Sequence, residues 1–133
     1  MVKVVIDTNV LVSALLSNGP PAAVADLAAE GRIILFYNDD IIGEYWDVLW
    51  RKKFGFHSLQ VTRLIDSIVK TGIAVTDTLP SVIPVTDEDD RKFYDVAKAS
   101  SAFLITGNLK HFPPEPFIVN PSDFLKLYHF IEL

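Results

Sequence analysis

Cysteine is absent from the 133-residue sequence, which therefore has no disulfide, no thiolate metal ligand and no cysteine nucleophile. Long hydrophobic runs are absent too, since no stretch approaches the ~20 apolar residues of a membrane-spanning helix. The N-terminal residues are apolar, but Asp7 interrupts them and no clear cleavage site follows. We therefore interpret this segment as a buried strand and a helix rather than a signal peptide, and we expect a cytoplasmic protein with no membrane partner.

The sequence also lacks an excess of basic charge, because 12 Lys and Arg residues stand against 17 Asp and Glu residues, for a net charge of −5. This balance argues against a protein that coats nucleic acid nonspecifically. An enzyme that cuts nucleic acid is still allowed, because carboxylates around metal ions lower the formal charge while creating a site for phosphate. Half of the residues are hydrophobic, and the length suits one compact domain spanning residues 1–133.

Strand and helix patterns alternate along the chain. Predicted strands lie at residues 2–6, 32–37, 73–75, 103–105 and 117–119. Predicted helices lie at residues 9–16, 20–30, 38–54, 57–72, 89–101 and from 122 onwards. The third helix is capped by Asn38 or Asp39, and the fourth by Ser58. The alternation predicts an α/β fold whose parallel sheet carries helices on both faces.

Polar residues are concentrated where the predicted strands end. Asp7 follows the first strand, residues 38–40 follow the second, and Thr106-Gly107-Asn108 follow a later one. Glu44 lies one turn into the helix after the second strand, and Asp90 opens the helix that precedes the later strand. Because ligands of open α/β sheets bind beyond the carboxyl ends of the strands, these residues are candidates for a functional site.

Each candidate also has a simpler explanation. Asp7 and Asp90 can serve as helix caps or stabilise a helix N-terminus, Glu44 can be a solvated helical residue, and Asn108 can be a turn residue. A run of four acids at residues 87–90 raises the same choice between capping and metal binding. The three histidines have no metal-ligand spacing, and we predict surface or boundary positions for them: His57, His111 and His129.

Several familiar chemistries are excluded by the residues present. An EF-hand counted from Asp87 would have Lys92 where glycine is required and Lys98 where the bidentate glutamate belongs. The sequence contains no P-loop, no dinucleotide-binding glycine fingerprint and no serine nucleophile elbow. A dehalogenase-type phosphatase would require a second aspartate where Asn9 stands.

Three segments together resemble the PIN-domain nucleases, most closely the VapC-like toxins of toxin–antitoxin pairs. They are "VVIDTNVLVSAL" near the N-terminus, Glu44 in the helix after the second strand, and "DDRKFYDVAKASSAFLITGN". Asp90 precedes Thr106 by 16 residues, which matches the family's interval between its third acid and its threonine. The terminal "FIVNPSDFLKL" is similar to the family's closing strand and helix. The resemblance covers nearly the whole chain and rests on order and spacing rather than on any single motif.

The resemblance implies a PIN-like three-layer fold and a set of site residues. Asp7, Glu44 and Asp90 would be the catalytic and metal-binding acids. Asn108 would complete the metal site, but the family has a fourth acid at this position, so the departure puts the activity in doubt. Asp87, Asp89 or Asp95 are alternatives for the missing charge. The resemblance further implies substrate-binding roles for Thr8, Asn9 and Thr106.

A metal ion is the expected consequence of three converging acids. Two carboxylates ~4 Å apart repel by about 4 kcal/mol at an effective dielectric near 20, so a pocket of three acids without a cation would be costly to fold. Mg²⁺ or Mn²⁺ suits oxygen ligands and can orient and deprotonate a water for attack on a phosphodiester. By resemblance, the substrate is RNA and the partners are a cognate antitoxin and a second copy of the chain. Trp46 and Trp50, four residues apart on one helical face, are typical of core or dimer packing.

Two other functions are weighed against the metal-dependent endoribonuclease. The first is a PIN fold with weakened catalysis that serves only in binding, which Asn108 favours. The second is a phospho-accepting receiver domain, because the segment "IAVTDTLP" superficially resembles the phosphorylation strand of such domains. A receiver requires an acid pair after the first strand and a lysine after the last, whereas this sequence has a single Asp7 and "VNPSDF".

Overall fold

The computed structural model describes residues 1–131, which form a parallel sheet with flanking helices. The strands are β1 (Lys3–Ile6), β2 (Ile34–Tyr37), β3 (Ile73–Ala74), β4 (Phe103–Ile105) and β5 (Ile118–Val119). The helices are α1 (Thr8–Leu16), α2 (Pro20–Ala29), α3 (Asp39–Leu49), α4 (Ser58–Thr71), α5 (Arg91–Ser100) and α6 (Pro121–Ile131). The sheet order is β3-β2-β1-β4-β5, and every neighbouring pair is parallel. The predicted α/β fold with a central parallel sheet is therefore confirmed.

The central strand β1 explains why the sheet is flanked by helices. Its consecutive residues Val4, Val5 and Ile6 are all completely buried. Because successive side chains of a strand point to opposite faces, both faces of the sheet must be covered at this strand. The run of β-branched residues that predicted this strand thus reflects burial on two sides.

The strand order places a switch point between β1 and β4. After β1, the chain builds β2 and β3 on one side of the sheet and then returns to form β4 and β5 on the other side. Ile6 pairs with Ile105, and the backbone N–H of Asp7 donates to the carbonyl of Ile105 at 2.9 Å. The N–H of Thr106 in turn donates to Val119 at 3.0 Å. Asp7 and Thr106 therefore leave neighbouring strands at the place where such sheets bind ligands.

Two helix ends differ most from the sequence-based expectation, whereas the other strands and helices begin and end within two residues of it. Helix α3 ends at Leu49 rather than at residue 54, because the backbone of Arg51 is extended and a separate 3₁₀ turn, Lys52–Phe54, follows. That turn closes at Gly55, whose φ of +64° is readily adopted by glycine. The cap of α4 is His57, not Ser58, because Nδ1 of His57 accepts the hydrogen bond from the N–H of Leu59.

Within residues 1–131 no single helix has both the length and the apolar character needed to cross a bilayer. Helices α1 and α2 reach those limits only when taken together, and they are bent by 106° relative to each other.

Candidate active site

Asp7 stands at the N-terminus of α1 but does not cap it. Its side chain makes no capping hydrogen bond, and only 5% of the residue is exposed. Instead, Oδ2 of Asp7 accepts a hydrogen bond of 2.8 Å from the hydroxyl of Thr106, which is completely buried. The capping explanation therefore does not account for this carboxylate, which is held at the switch point by a residue of the neighbouring strand.

The surroundings of Asp7 disfavour its ionised form. Burial is the largest cause and raises the pKa of Asp7 to about 6. The hydrogen bond from Thr106 opposes this increase, whereas the negative charges of Asp90 and Glu44 add to it. The three acids that were predicted to converge are thus close enough to affect one another electrostatically.

Glu44 is not a freely solvated residue of α3. Its Oε2 accepts a hydrogen bond from the hydroxyl of Thr8, and its Oε1 lies 2.8 Å from Nζ of Lys92. The neighbouring Tyr45 is completely buried and its hydroxyl donates to the carbonyl of Ile6. This bond fixes α3 against the end of β1 and places Glu44 beside the first residues of α1.

Tyr45 also responds to the charge of the pocket. Burial raises its pKa well above the usual value, and the carboxylates of Asp7 and Glu44 raise that pKa further. Tyr45 therefore stays neutral and keeps its hydroxyl hydrogen for Ile6.

The four acids at residues 87–90 do not share a single role, because some stabilise local structure and one faces the pocket. Asp87 accepts from the N–H of Asp89 at 3.0 Å and so caps a 3₁₀ turn, while Glu88 forms an ion pair with Arg91 at 2.7 Å. Asp90 makes no capping hydrogen bond, and its Oδ2 lies 3.3 Å from Nδ1 of His111. Part of the acidic run is therefore structural, and Asp90 is its inward-facing member.

Asp90 experiences the same kind of environment as Asp7, with one compensating partner. Partial burial is the largest influence and raises the pKa of Asp90. The nearby His111 lowers this pKa, whereas the charges of Asp87 and Glu44 raise it. Among the alternatives for the missing fourth acid, Asp87 is therefore the one whose charge acts on Asp90.

The remaining residues predicted for the site lie around the end of β4. Oγ1 of Thr106 accepts from the N–H of Asn108 at 3.0 Å, and Oδ1 of Asn9 accepts from the N–H of Gly107 at 3.3 Å. Asn9, Gly107 and Asn108 also line a cavity of about 250 Å³ that extends to Pro21. The sequence-predicted residues are therefore brought to one end of the sheet, with Thr8 and Thr106 bonded to the acids rather than facing solvent.

Asp95 does not take the place of the missing fourth acid. Both of its carboxylate oxygens accept from the N–H of Ser81, at 3.2 and 3.3 Å, and the residue is buried. It holds the loop before the acidic run. Asp89, a further alternative, has an exposed side chain, and its carbonyl accepts from Nζ of Lys92.

Sequence reasoning missed three residues of the pocket. Lys92 and His111 pair with the predicted acids Glu44 and Asp90, and Tyr45 ties α3 to β1. The only signal in the sequence was the position of Lys92, two residues after Asp90. A larger, apolar cavity of about 630 Å³ lies along the proline-rich segment 109–118 and contains none of the three carboxylates.

The donor set suits a hard divalent cation in chemistry. The candidate ligating atoms are carboxylate oxygens and one amide oxygen, which Mg²⁺ and Mn²⁺ prefer. The charges of Asp90 and Glu44 add to the burial that raises the pKa of Asp7. In the side-chain positions described for residues 1–131, no three His, Asp or Glu residues are spaced as a ready metal centre. Binding therefore requires side-chain adjustment, foremost at Glu44, which Thr8 and Lys92 already contact.

Strand order and site together define an α/β protein whose acidic pocket lies at the switch point of a parallel sheet. The sequence model of the PIN domain family matches residues 3–110, and the chain belongs to this family. Its members are generally nucleases and typically use divalent metals. The chain is also 34% identical to the uncharacterized protein MJ1680 of Methanocaldococcus jannaschii, over 80% of this chain and 71% of that protein. No solved structure matches the chain at a significant level.

The receiver-domain alternative does not fit the fold. Receiver-type sheets have the strand order 2-1-3-4-5, whereas here the order is β3-β2-β1-β4-β5. The aspartate that suggested a phosphorylation site, Asp77, lies in the exposed loop after the edge strand β3. The family match and the strand order together exclude this function.

Proposed function

We propose that this chain is a metal-dependent endoribonuclease that hydrolyses RNA phosphodiester bonds. The observation that carries the proposal is the convergence of Asp7, Glu44 and Asp90 at the switch point, where the two other acids help to raise the pKa of Asp7. Such a pocket attracts a divalent cation and disfavours bare carboxylates. Membership of a family of nucleases supports the same reaction class.

In this proposal, Asp7, Glu44 and Asp90 hold Mg²⁺ or Mn²⁺, and the amide oxygen of Asn108 assists them. An ion held by these residues would supply positive charge to a phosphodiester and would activate water for hydrolysis. Thr106 holds Asp7, and Thr8 holds Glu44, so both hydroxyls fix the direction of the acids. Their influence on the substrate therefore passes through the carboxylates.

The remaining charges and polar groups act nearer the substrate. Asn9 lines the cavity beside the site. In this proposal, its amide contacts the nucleotide chain. His111, 3.3 Å from Asp90, keeps that carboxylate directed inward. Binding and orientation by these side chains account for much of phosphoryl-transfer catalysis, which depends on positioning and electrostatics.

Cleavage of single-stranded RNA in the presence of Mn²⁺ tests the proposal. The wild-type protein is expected to cut, and a chelator is expected to stop the reaction. Asp7→Asn is expected to reduce the rate by more than the roughly 10–100-fold loss typical of groups that only orient metal ligands. Asp26→Asn, which removes an exposed acid of α2, is the matched control and is expected to be as active as the wild type.

A catalytically weakened PIN fold that only binds RNA is the second candidate. Asn108 favours it, because an amide stands where the family has an acid, and so does the contact of Lys92 with Glu44. The same assay separates the two functions. RNA that is retained by the protein but stays intact in Mn²⁺ supports the binding protein and contradicts the nuclease.

We further propose that the chain is the toxin of a toxin–antitoxin pair, acts in the cytoplasm and forms a homodimer. The resemblance of the three site segments to VapC-like toxins supports the role, and exposed aromatic surface on α3 supports association. Trp46 and Trp50 stack with ring centroids 6.2 Å apart, and half of Trp50 is exposed.

Expression and size measurements test these roles. Induced expression is expected to arrest growth, Asp7→Asn is expected to be harmless, and a small antitoxin is expected to restore growth. Light scattering is expected to show a dimer. Unimpaired growth with an active nuclease contradicts the toxin role, and a monomer across micromolar concentrations contradicts the dimer.

A further inference from the structure

Lys92 is the cation closest to Glu44 in the acidic pocket. Its Nζ lies 2.8 Å from Oε1 of Glu44 and also donates to the carbonyl of Asp89, in the turn that carries Asp90. The side chains of Lys92 and Glu44 are only 18% and 23% exposed. Because the pair is only partly exposed, salt screens it less than an exposed pair.

The other oxygen of Glu44 is also engaged, because Oε2 accepts from the hydroxyl of Thr8. A divalent cation that takes an oxygen of Glu44 must therefore replace one of these partners or share the carboxylate with it. Sharing with Thr8 involves a neutral group, whereas sharing with Lys92 places an ammonium beside a doubly charged ion. Repulsion between the two cations in a partly buried site favours the departure of Lys92.

Lys92 is able to leave without disrupting the core. Lysine has a long, flexible stem and a strongly hydrated ammonium, and this side chain is partly open to solvent. Its neighbour Phe93 is completely buried and keeps α5 in place, with the ammonium 5.1 Å from the centre of the Phe93 ring. A change in the position of Nζ therefore does not require a movement of the helix.

We propose that Lys92 is an internal counter-ion that competes with the divalent metal for Glu44. The inference rests on the proposed function, since it assumes that the acids bind a metal. Lys92 stabilises the metal-free acidic pocket and lowers its affinity for the ion. When the ion binds, the ammonium of Lys92 leaves Glu44 and moves toward solvent, to which its side chain is already partly exposed.

The test is a calorimetric titration of the full chain with MnCl₂, together with thermal melts. Lys92→Met keeps the length and apolar stem of the side chain and removes its charge. It is expected to bind Mn²⁺ about tenfold more tightly than the wild type, a difference of about 1.4 kcal/mol. Without metal, the same variant is expected to melt at a lower temperature than the wild type, because Glu44 has lost its counter-ion.

Two controls isolate the charge of Lys92. Lys98→Met removes a lysine from the same helix, where Nζ lies 3.9 Å from Glu115 and contacts none of the three acids, so its affinity for Mn²⁺ is expected to equal that of the wild type. Lys92→Arg keeps the positive charge and is expected to bind the ion no more tightly than the wild type.

The outcomes distinguish failure of the metal site from failure of the counter-ion role of Lys92. If the wild type binds Mn²⁺, Asp7→Asn abolishes that binding and Lys92→Met has an unchanged dissociation constant, the metal site stands and the counter-ion is overturned. Lower stability of Lys92→Met with unchanged affinity means that Lys92 is only a structural tie. If neither wild type nor Lys92→Met binds Mn²⁺, both the metal site and the counter-ion are overturned.

Discussion

The acidic pocket has a strand side, formed by Asp7 and Thr106, and a helix side, formed by Glu44, Lys92 and Asp90. On the strand side, short side chains are 5% and 0% exposed and are bonded to each other. On the helix side, the side chains are 16–23% exposed and two of the three are long. Burial is the largest influence on the pKa of Asp7 and also on that of Asp90, but only the helix-side acids contact basic side chains, Glu44 contacting Lys92 and Asp90 contacting His111. The strand side is therefore poorly solvated, whereas the longer and more exposed side chains of the helix side are freer to rearrange.

The largest expected difference between the two sides concerns the pH dependence of stability. The pKa of Asp7 rises from 3.8 to about 6 on folding, so the folded chain binds this proton more tightly than the unfolded chain. The proton on Asp7 therefore contributes to the free energy of unfolding at low pH, and this contribution is lost as the pH rises from below 3.8 to above 6. The full loss is about 3 kcal/mol. Asp7→Asn is neutral throughout and is expected to lack this loss.

Urea denaturation with a chelator present, at pH 4 and at pH 7.5, measures the effect. The stability of Asp7→Asn relative to wild type is expected to increase by about 2.4 kcal/mol between the two pH values, because the unfolded carboxyl is already partly ionised at pH 4. Asp26→Asn provides the control for an exposed acid. Parallel pH profiles for Asp7→Asn and wild type would show that burial does not govern the strand side.

A smaller loss is expected when the bond within the strand side is removed. Thr106→Val keeps the shape of the buried side chain but leaves Oδ2 of Asp7 and the N–H of Asn108 without the hydroxyl. The loss in the free energy of unfolding is expected to be about 1–3 kcal/mol, the usual cost of unsatisfied buried polar groups. Because the hydroxyl lowers the pKa of Asp7, this pKa is also expected to increase.

Chemical denaturation and NMR titration of Asp7 check both parts of the prediction for Thr106→Val. Thr76→Val, in the exposed loop after β3, serves as the matched control with little expected effect. Unchanged stability of Thr106→Val would mean that Asp7 is held in place by its backbone alone.

The helix side depends instead on a loop anchored by Arg91. Nη1 of Arg91 donates to the carbonyls of Ser81 at 2.9 Å and of Ile83 at 2.8 Å, and Arg91 also pairs with Glu88. Arg91→Ala is expected to accelerate hydrogen exchange of the amides at residues 81–90 by about tenfold. The amides of β1 and β4 are expected to change less, because the strand side does not use this anchor.

Exchange measured by NMR or mass spectrometry distinguishes local from global loosening in Arg91→Ala. Arg51→Ala, which removes an exposed pair with Asp47, is the control. Equal acceleration in the loop and in the central strands would contradict the separation of the two sides.

The smallest expected effect comes from restoring the fourth acid. Asn108→Asp adds a charge at an exposed position, so the melting temperature without metal is expected to decrease by about 2–4 °C. At a fixed concentration of Mn²⁺, the variant is expected to be stabilised more than the wild type, because its dissociation constant is lower. A concentration of a hundred times the dissociation constant adds about 2.7 kcal/mol to either protein, and the variant reaches that ratio with less Mn²⁺. Thermal melts across a Mn²⁺ series test this, and an unchanged midpoint concentration would show that position 108 is outside the metal site.

The strand side was predictable from the sequence, and the helix side only in part. Asp7 and Thr106 each follow a short apolar run, and parallel strands bring their carboxyl ends to one edge, so local patterns sufficed. The partners of the helix side are tertiary contacts, since Lys92 lies 48 residues from Glu44. Their pairing depends on how α3 and α5 pack, which no local pattern specifies. His111 was missed for the same reason, because its partner Asp90 lies on a different element.

Helix ends illustrate the limits of local rules as well. Ser58 is a favoured cap residue, yet the imidazole of His57 takes that hydrogen bond one position earlier. The residues after Leu49 are reasonable helix formers, but the extended backbone of Arg51 ends α3. For Asp7 and Asp90, cap preference alone pointed to structural roles, and only the hydrogen bonds of the folded chain show that neither side chain caps its helix.

The bond between Asp7 and Thr106 joins residues that are 99 positions apart. During synthesis, Asp7 emerges from the ribosome 99 residues ahead of Thr106, so its carboxylate lacks this partner until β4 has been made. Long-range pairing of this kind forms late compared with local helices. A nascent chain therefore carries Asp7 without the buried environment of the folded pocket, and any activity of the pocket starts only after β4 has been made and has paired with β1.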